Sequence, residues 1–188
     1  MDAAPSTRVL VTGFGAFLDV SDNPSGRIAR AVHGRIVAGV AITGLELPVS
    51  FRGGPARAIA AAEALAPIAI IGLGVDRRTT TIDVETRAFN LGAGLDVDDR
   101  TLAVLEPGGP DEVHSNLDAV ALAEALGGRV DDDAGRYVCN AWLYLVGRAL
   151  IPARQVVFVH VPDTGMDPER LVAAIGRLYG RPPALRQS

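Results

Sequence analysis

Hydrophobic and polar positions change period several times along the chain, and each change marks an element. "RVLVTG" (8–13) is a β-branched run closed by glycine and predicts a buried strand. Pro24 follows Asn23, a good capping residue, so a helix is expected over 24–37 with Ile28, Ala31, Val32 and Ile36 on one side. "VAITGLELPVS" (40–50) reads as a second strand, and the alanine-rich 54–66 as a helix stopped by Pro67. "IAIIGLG" (68–74) is continuously apolar, as strands buried on both faces are. "TTTIDVETRAFN" (79–90) alternates and predicts one strand, while 91–112 is rich in Gly, Asp and Pro and reads as loop with short strands. Helices are expected over 115–128, capped by Ser115 or Asn116, over 140–150, and from Pro168 to 180. "RQVVFVHVP" (154–162) is another apolar strand. Strands and helices alternate, which predicts an α/β domain with a mostly parallel central sheet. The chain is expected to be one domain over 1–188, with frayed ends at about 1–7 and 181–188.

Composition narrows the function classes. A 48% hydrophobic, 21% charged chain is globular, and a net charge of −4 argues against nucleic acid as the main partner. All 18 basic residues are arginine, which excludes a lysine Schiff base and a lysine-tipped phosphate loop. The single cysteine cannot form an internal disulfide, so a reducing, cytoplasmic setting is expected. No apolar run approaches the roughly 20 residues of a membrane span, and no membrane partner is expected.

The chemistry-bearing residues are few. Cys139 lies in "DDAGRYVCNAWLYLVGRAL" (132–150), just after a glycine-containing turn and where a helix starts. Free cysteines are mostly core fillers. At a helix start, however, unpaired N–H groups and the dipole favour a thiolate and could also bind an oxyanion. Of three histidines, His33 falls on a helix and His114 in a polar loop. His160 ends an apolar strand, at the sheet edge where catalytic groups converge, although a structural role suits it equally. The histidine spacing matches no metal motif. Asp83 and Glu85, two apart on one strand face, could each orient an imidazole, and pattern alone does not choose between them. "TGFGAFL" (12–18) resembles a nucleotide turn but has Leu18 at the third glycine position; its pair Phe14 and Phe17 suits a pocket wall.

Taken together, "VLVTGFGAF…DNPS", "TTTIDVE", "DDAGRYVCN" and "VFVHVP", in that order, resemble the pyroglutamyl peptidase I family of cytosolic cysteine peptidases, from about Val9 to Leu178. The resemblance implies a three-layer α/β/α sandwich of the phosphorylase/hydrolase kind. It implies a triad of Cys139 as nucleophile, His160 as base and Glu85 as orienter. It also implies a pyroglutamyl pocket of Phe14, Phe17 and Tyr137, braced by Asn23, with a backbone carbonyl near Val75 accepting the lactam N–H. Its substrates would be peptides with N-terminal pyroglutamate, with no metal or organic cofactor, and its members form dimers or tetramers. Many relatives carry glutamine at the position of Val75 and an arginine where this chain has Leu95; Arg78, Arg87 and Arg100 are the candidate replacements near an oxyanion, Arg100 first among them. A lactam ring is neutral, so its pocket is expected to have apolar walls and no acid of the kind that binds a free ammonium. Two rival readings stand beside it: a binding protein that keeps the fold with altered chemistry, and a nucleoside-processing enzyme on a related sandwich fold.

Overall fold

The computed structural model describes residues 7–17, 21–98 and 100–180. In chain order the elements are β1 (Thr7–Phe14), α1 (Pro24–Val32), β2 (Ile36–Val37), β3 (Val40–Leu47), α2 (Gly53–Leu65), β4 (Ala69–Val75) and β5 (Asp83–Glu85). They continue with β6 (Arg87–Phe89), β7 (Glu112–His114), α3 (Ala119–Leu126), β8 (Arg129–Asp131), α4 (Val138–Leu150), β9 (Gln155–Val161) and α5 (Pro168–Tyr179).

A seven-stranded sheet runs β2-β3-β1-β4-β9-β5-β8, and β6 pairs with β7 apart from it. Strands β3, β1, β4 and β9 are mutually parallel, as are β5 and β8. The β2–β3 and β5–β9 pairs are antiparallel, so the sheet is mixed, with a parallel centre as expected. Because the four central strands run the same way, the ends of β1, β4 and β9 at Phe14, Val75 and Val161 gather at one edge.

Helices cover both faces. Ile28 and Val32 of α1, Leu122 and Leu126 of α3, and Leu171 and Ile175 of α5 bury one face of β1, β4 and β9. Ala58 and Ala62 of α2 with Trp142, Leu143 and Val146 of α4 bury the other. This is the three-layer sandwich that the resemblance implied. Trp142 and Phe158 pack at 5.5 Å between centroids, over Gly72. A Cβ at Gly72 would stand 2.5 Å from Phe158 and 2.7 Å from Trp142, so only glycine admits both rings.

Some boundaries differ from the sequence expectation. α1 stops at Val32 with His33 as its C-cap, and Ile36 and Val37 form β2 instead of a last helical turn. Asp118 caps α3, accepting from Ala121 N–H at 3.0 Å. Ser115 Oγ instead donates to the Val156 carbonyl, and Asn116 bonds the Arg154 carbonyl and the Val156 N–H, tying the segment before α3 to β9. The run 79–90 does not make one strand: Thr86 N–H bonds Asp131 O, and the chain leaves the main sheet to form β6. Thr7 lies within β1; the remaining expected frayed residues, and Leu18, fall outside the described residues.

Candidate active site

Cys139 is the second residue of α4. The cap residue Tyr137 offers the helix no side-chain hydrogen bond and the first turn has no acid, so the N–H groups there are left for whatever sits beside the thiol. The thiol needs space on the sheet, and Gly74 of β4 supplies it. A Cβ at that position would stand 2.6 Å from Cys139 Sγ and 2.7 Å from the Phe158 ring.

His160 stands on β9 beside Gly74 in the ladder and is 5% exposed. Its ring meets Phe158 edge-on at 5.2 Å, and its Nδ1 is 2.7 Å from Glu85 Oε1. Burial alone would lower its pKa. The charge of Cys139 and a hydrogen bond to it, helped by Glu85, outweigh burial and raise the pKa to about 10. Glu85 is 1% exposed, and its burial pushes the carboxyl above its ordinary range although His160 draws it down.

Asp83 and Glu85 separate in the structure. Asp83 takes Arg129 Nε at 2.7 Å, Arg129 Nη2 at 3.3 Å and the Thr81 hydroxyl at 2.8 Å. Burial would raise its pKa, but these bonds outweigh it and hold the carboxyl low. Only Glu85 reaches the imidazole.

On one side of Cys139 lies a cleft of about 760 Å³, whose walls include Phe14, Phe17, Val75, Tyr137 and Val138. Phe17 and Tyr137 approach at 5.8 Å, and Phe51 supports Tyr137 edge-on at 5.6 Å. Tyr137 donates to the Leu95 carbonyl at 2.5 Å; burial and the charges of Asp96 and Cys139 raise its pKa to about 12, so it stays a neutral wall. Asn23 caps α1 and accepts from Ser25 N–H and Oγ; Ser25 Oγ in turn takes the Phe14 N–H at 3.0 Å. The end of β1 is thereby pinned to the start of α1. A Cβ on Gly13 would stand 2.1 Å from Ser25 O, and one on Gly26 2.4 Å from Phe14 O. Gly13 and Gly26 therefore serve close packing of β1 on α1, whereas Gly15 makes room for the Glu46 side chain, 2.9 Å from where a Cβ would stand.

The lining corrects one expectation. Asp22 and Asp163 stand in it, so the cleft is not free of acid. Asp22 is paired with Arg27 at 2.6 Å and with Arg30 at 3.5 Å, and Asp163 is exposed. Arg87 bonds Asp132 at 2.9 Å and Glu112 at 3.5 Å, and Arg100 is exposed; neither lines this cleft.

Asn140 was not singled out from the sequence. Fully buried beside Cys139, it accepts from Phe89 N–H at 2.7 Å and donates to the Phe89 and Leu91 carbonyls. Asp96 was also missed. It takes the N–H groups of Phe51, Asp98 and Arg100, anchoring the segment whose Leu95 holds Tyr137. Gly74 left a signal, since glycine inside a buried strand marks a close approach.

The family model for pyroglutamyl peptidase matches residues 7–182. The chain belongs to the pyroglutamyl peptidase family. A pyrrolidone-carboxylate peptidase of Halalkalibacterium halodurans is 32% identical over 82% of this chain and 83% of that protein. One of Mycobacterium marinum is 32% identical over 94% of this chain and 84% of that protein. The solved pyrrolidone carboxyl peptidase of Thermococcus litoralis shares the fold, with a TM-score of 0.80 at 24% identity over 90% of each chain. Within this peptidase family fold, no described helix is long and apolar enough to cross a membrane.

Proposed function

We propose that this chain removes N-terminal pyroglutamate from peptides, with Cys139 as nucleophile, His160 as proton carrier and Glu85 as its orienter. The observation that carries the reading is the thiol in the uncapped first turn of α4, at an aromatic cleft and coupled to a buried His160–Glu85 pair.

The ring of pyroglutamate packs between Phe14, Phe17 and Tyr137, with Asn23 bracing the first through Ser25, and the Val75 carbonyl accepts the lactam N–H. Cys139 Sγ attacks the pyroglutamyl carbonyl carbon; the C–S bond forms and the carbonyl electrons move to oxygen. N–H groups of the α4 start receive that oxyanion. As the tetrahedral adduct collapses, His160 gives its proton to the departing amine nitrogen and the C–N bond breaks. Water, deprotonated by His160, then cleaves the thioester and returns the thiol. Arg87, already engaged by two carboxylates, is assigned a structural role, and the exposed Arg100 is kept as a candidate to add to the oxyanion site.

The chain works as one domain in this reading. A free thiol nucleophile suits the reducing cytoplasm. Self-association into dimers or tetramers follows from the family resemblance, and light scattering checks it.

The test is release of free pyroglutamate from a pyroglutamyl peptide by the wild type and by Cys139→Ser. The wild type is expected to cleave, and the variant to fold and lose nearly all turnover, since a hydroxyl is far harder to deprotonate than a thiol. A Cys139→Ser protein that keeps substantial activity would end the proposal.

A further inference from the structure

A second cleft, about 290 Å³, adjoins the first and shares Val75, Tyr137 and Cys139 with it. His160 lines only this one. That fixes its use if the peptidase reading holds: the amine that receives the His160 proton must lie beside the imidazole, so the residue following pyroglutamate occupies this second cleft.

Its remaining walls are uneven in chemistry. Ala134 and Gly135 add little bulk, and a Cβ on Gly135 would meet nothing within 4 Å. Arg78 and Arg136 reach the rim, against one acid, Asp76. Arg78 grips Asp76 through Nε at 3.0 Å and Nη2 at 2.8 Å, and its side chain is 82% exposed. Arg136 bonds Asp133 and the Gly135 carbonyl through Nη1 and lies over the Phe89 ring at 3.8 Å, which fixes its plane. A guanidinium carries five donors. These bonds occupy the Nε and Nη2 atoms of Arg78 and the Nη1 atom of Arg136. Asp76 pairs with Arg78, Asp133 with Arg136 and Glu85 with His160, so what this lining offers an anion is the guanidinium N–H groups left outside those pairs.

We propose that Arg78 and Arg136 form a subsite for a carboxylate on the residue that follows pyroglutamate. The carboxylate is either an acidic side chain or the free terminus of a pyroglutamyl dipeptide. The cleft is sized for one residue, and both groups lie on it. The proposal rests on the peptidase reading above.

The experiment measures kcat/KM for three substrates: pyroglutamyl-alanine amide, pyroglutamyl-glutamate amide, and pyroglutamyl-alanine with a free carboxylate. The readout is the ratio of each acidic substrate to the neutral amide, in wild type and in Arg78→Gln, Arg136→Gln and Asp76→Asn. At least one ratio is expected at about fivefold in low salt, the upper end for solvent-screened pairs, and to shrink as salt rises. It should fall toward one in Arg78→Gln and in Arg136→Gln, and rise in Asp76→Asn, which releases Arg78. Comparing the two acidic substrates reads out which carboxylate is bound. Cleavage of the neutral amide with both wild-type ratios at or below one overturns the subsite and leaves the peptidase reading standing; so does a preference that survives loss of both arginines. Failure to cleave any of the three overturns both. Arg78 is exposed, so its variant keeps the test independent of any folding defect at Arg136.

Discussion

Strands β9 and β5 lie side by side and contribute one member each to the proposed His160–Glu85 pair, yet they are held in opposite ways. β9 spans seven residues, pairs along its length with β4 and buries Val156 to Val161. β5 spans three, runs antiparallel to β9, and buries two carboxylates. A long apolar strand is placed by its ladder and core. A short acidic one depends on partners for its charges: Glu85 has His160, and Asp83 has Arg129 from β8. The pair therefore joins a rigid centre to a margin secured by polar bonds.

The largest effects should come from breaking the pair at either strand. His160→Ala is expected to lower kcat/KM by about 10⁴-fold, and Glu85→Gln by about 10²-fold, because an amide still holds the ring without stabilising its charge. A Glu85→Gln variant with wild-type kinetics would remove the marginal strand from the mechanism.

The next test concerns the proton on His160. Its folded pKa is raised to about 10, above the roughly 6.5 of an unfolded chain. Its contribution to stability is therefore fully present below about pH 6.5 and is lost as pH rises through about 10. In Cys139→Ala the thiol charge is gone and burial opposes Glu85 alone, so the ring should lose its proton at lower pH. Imidazole NMR titration reads this, with His33 and His114 replaced to clear the spectrum. Identical titrations in both proteins would show that Cys139 and His160 are not coupled.

Gly74→Ala tests the rigid side. The added methyl meets the thiol and the Phe158 ring, and that ring is itself packed on Trp142. Overpacking of this kind costs about 1–3 kcal/mol, and activity should fall further than stability because the nucleophile is displaced. Thermal denaturation alongside kinetics separates the two losses.

The smallest effect is expected at Asp83→Asn. It weakens the tie to Arg129, which is 63% exposed at its side chain, and should cost about 1 kcal/mol with little change in kcat. The sign with pH is opposite to that of His160: a depressed carboxyl stabilises above its unfolded pKa and loses that as pH falls through the folded value. Urea denaturation at neutral and acidic pH checks it, and a large kcat loss would mean that Asp83 shares the role given to Glu85.

The same contrast explains what could be read in the sequence. β1, β4 and β9 are apolar runs long enough to carry a period, and the proline starts of α1 and α5 mark themselves. β2 and β8 are two and three residues long, too short for any period to register. Missing β8 had a consequence at the site. Arg129 is what draws Asp83 away from the imidazole, so pattern alone left Asp83 and Glu85 tied until the family resemblance separated them. Ser115 and Asn116 look like caps locally, but β9 takes their side chains, a choice made only in three dimensions. Cys139 was legible because its cue is local, a turn followed by a helix. Asn140 was not, because its partners lie about fifty residues away in β6 and just beyond it.

Asn140 gives α4, the helix that carries Cys139, a built-in reporter. The Phe89 amide proton is bonded to the side chain adjacent in sequence to Cys139, so it can trade for deuterium only when α4 and β6 part. Its exchange rate is thus a clock for excursions of α4, and it can be read on resting enzyme with no substrate present.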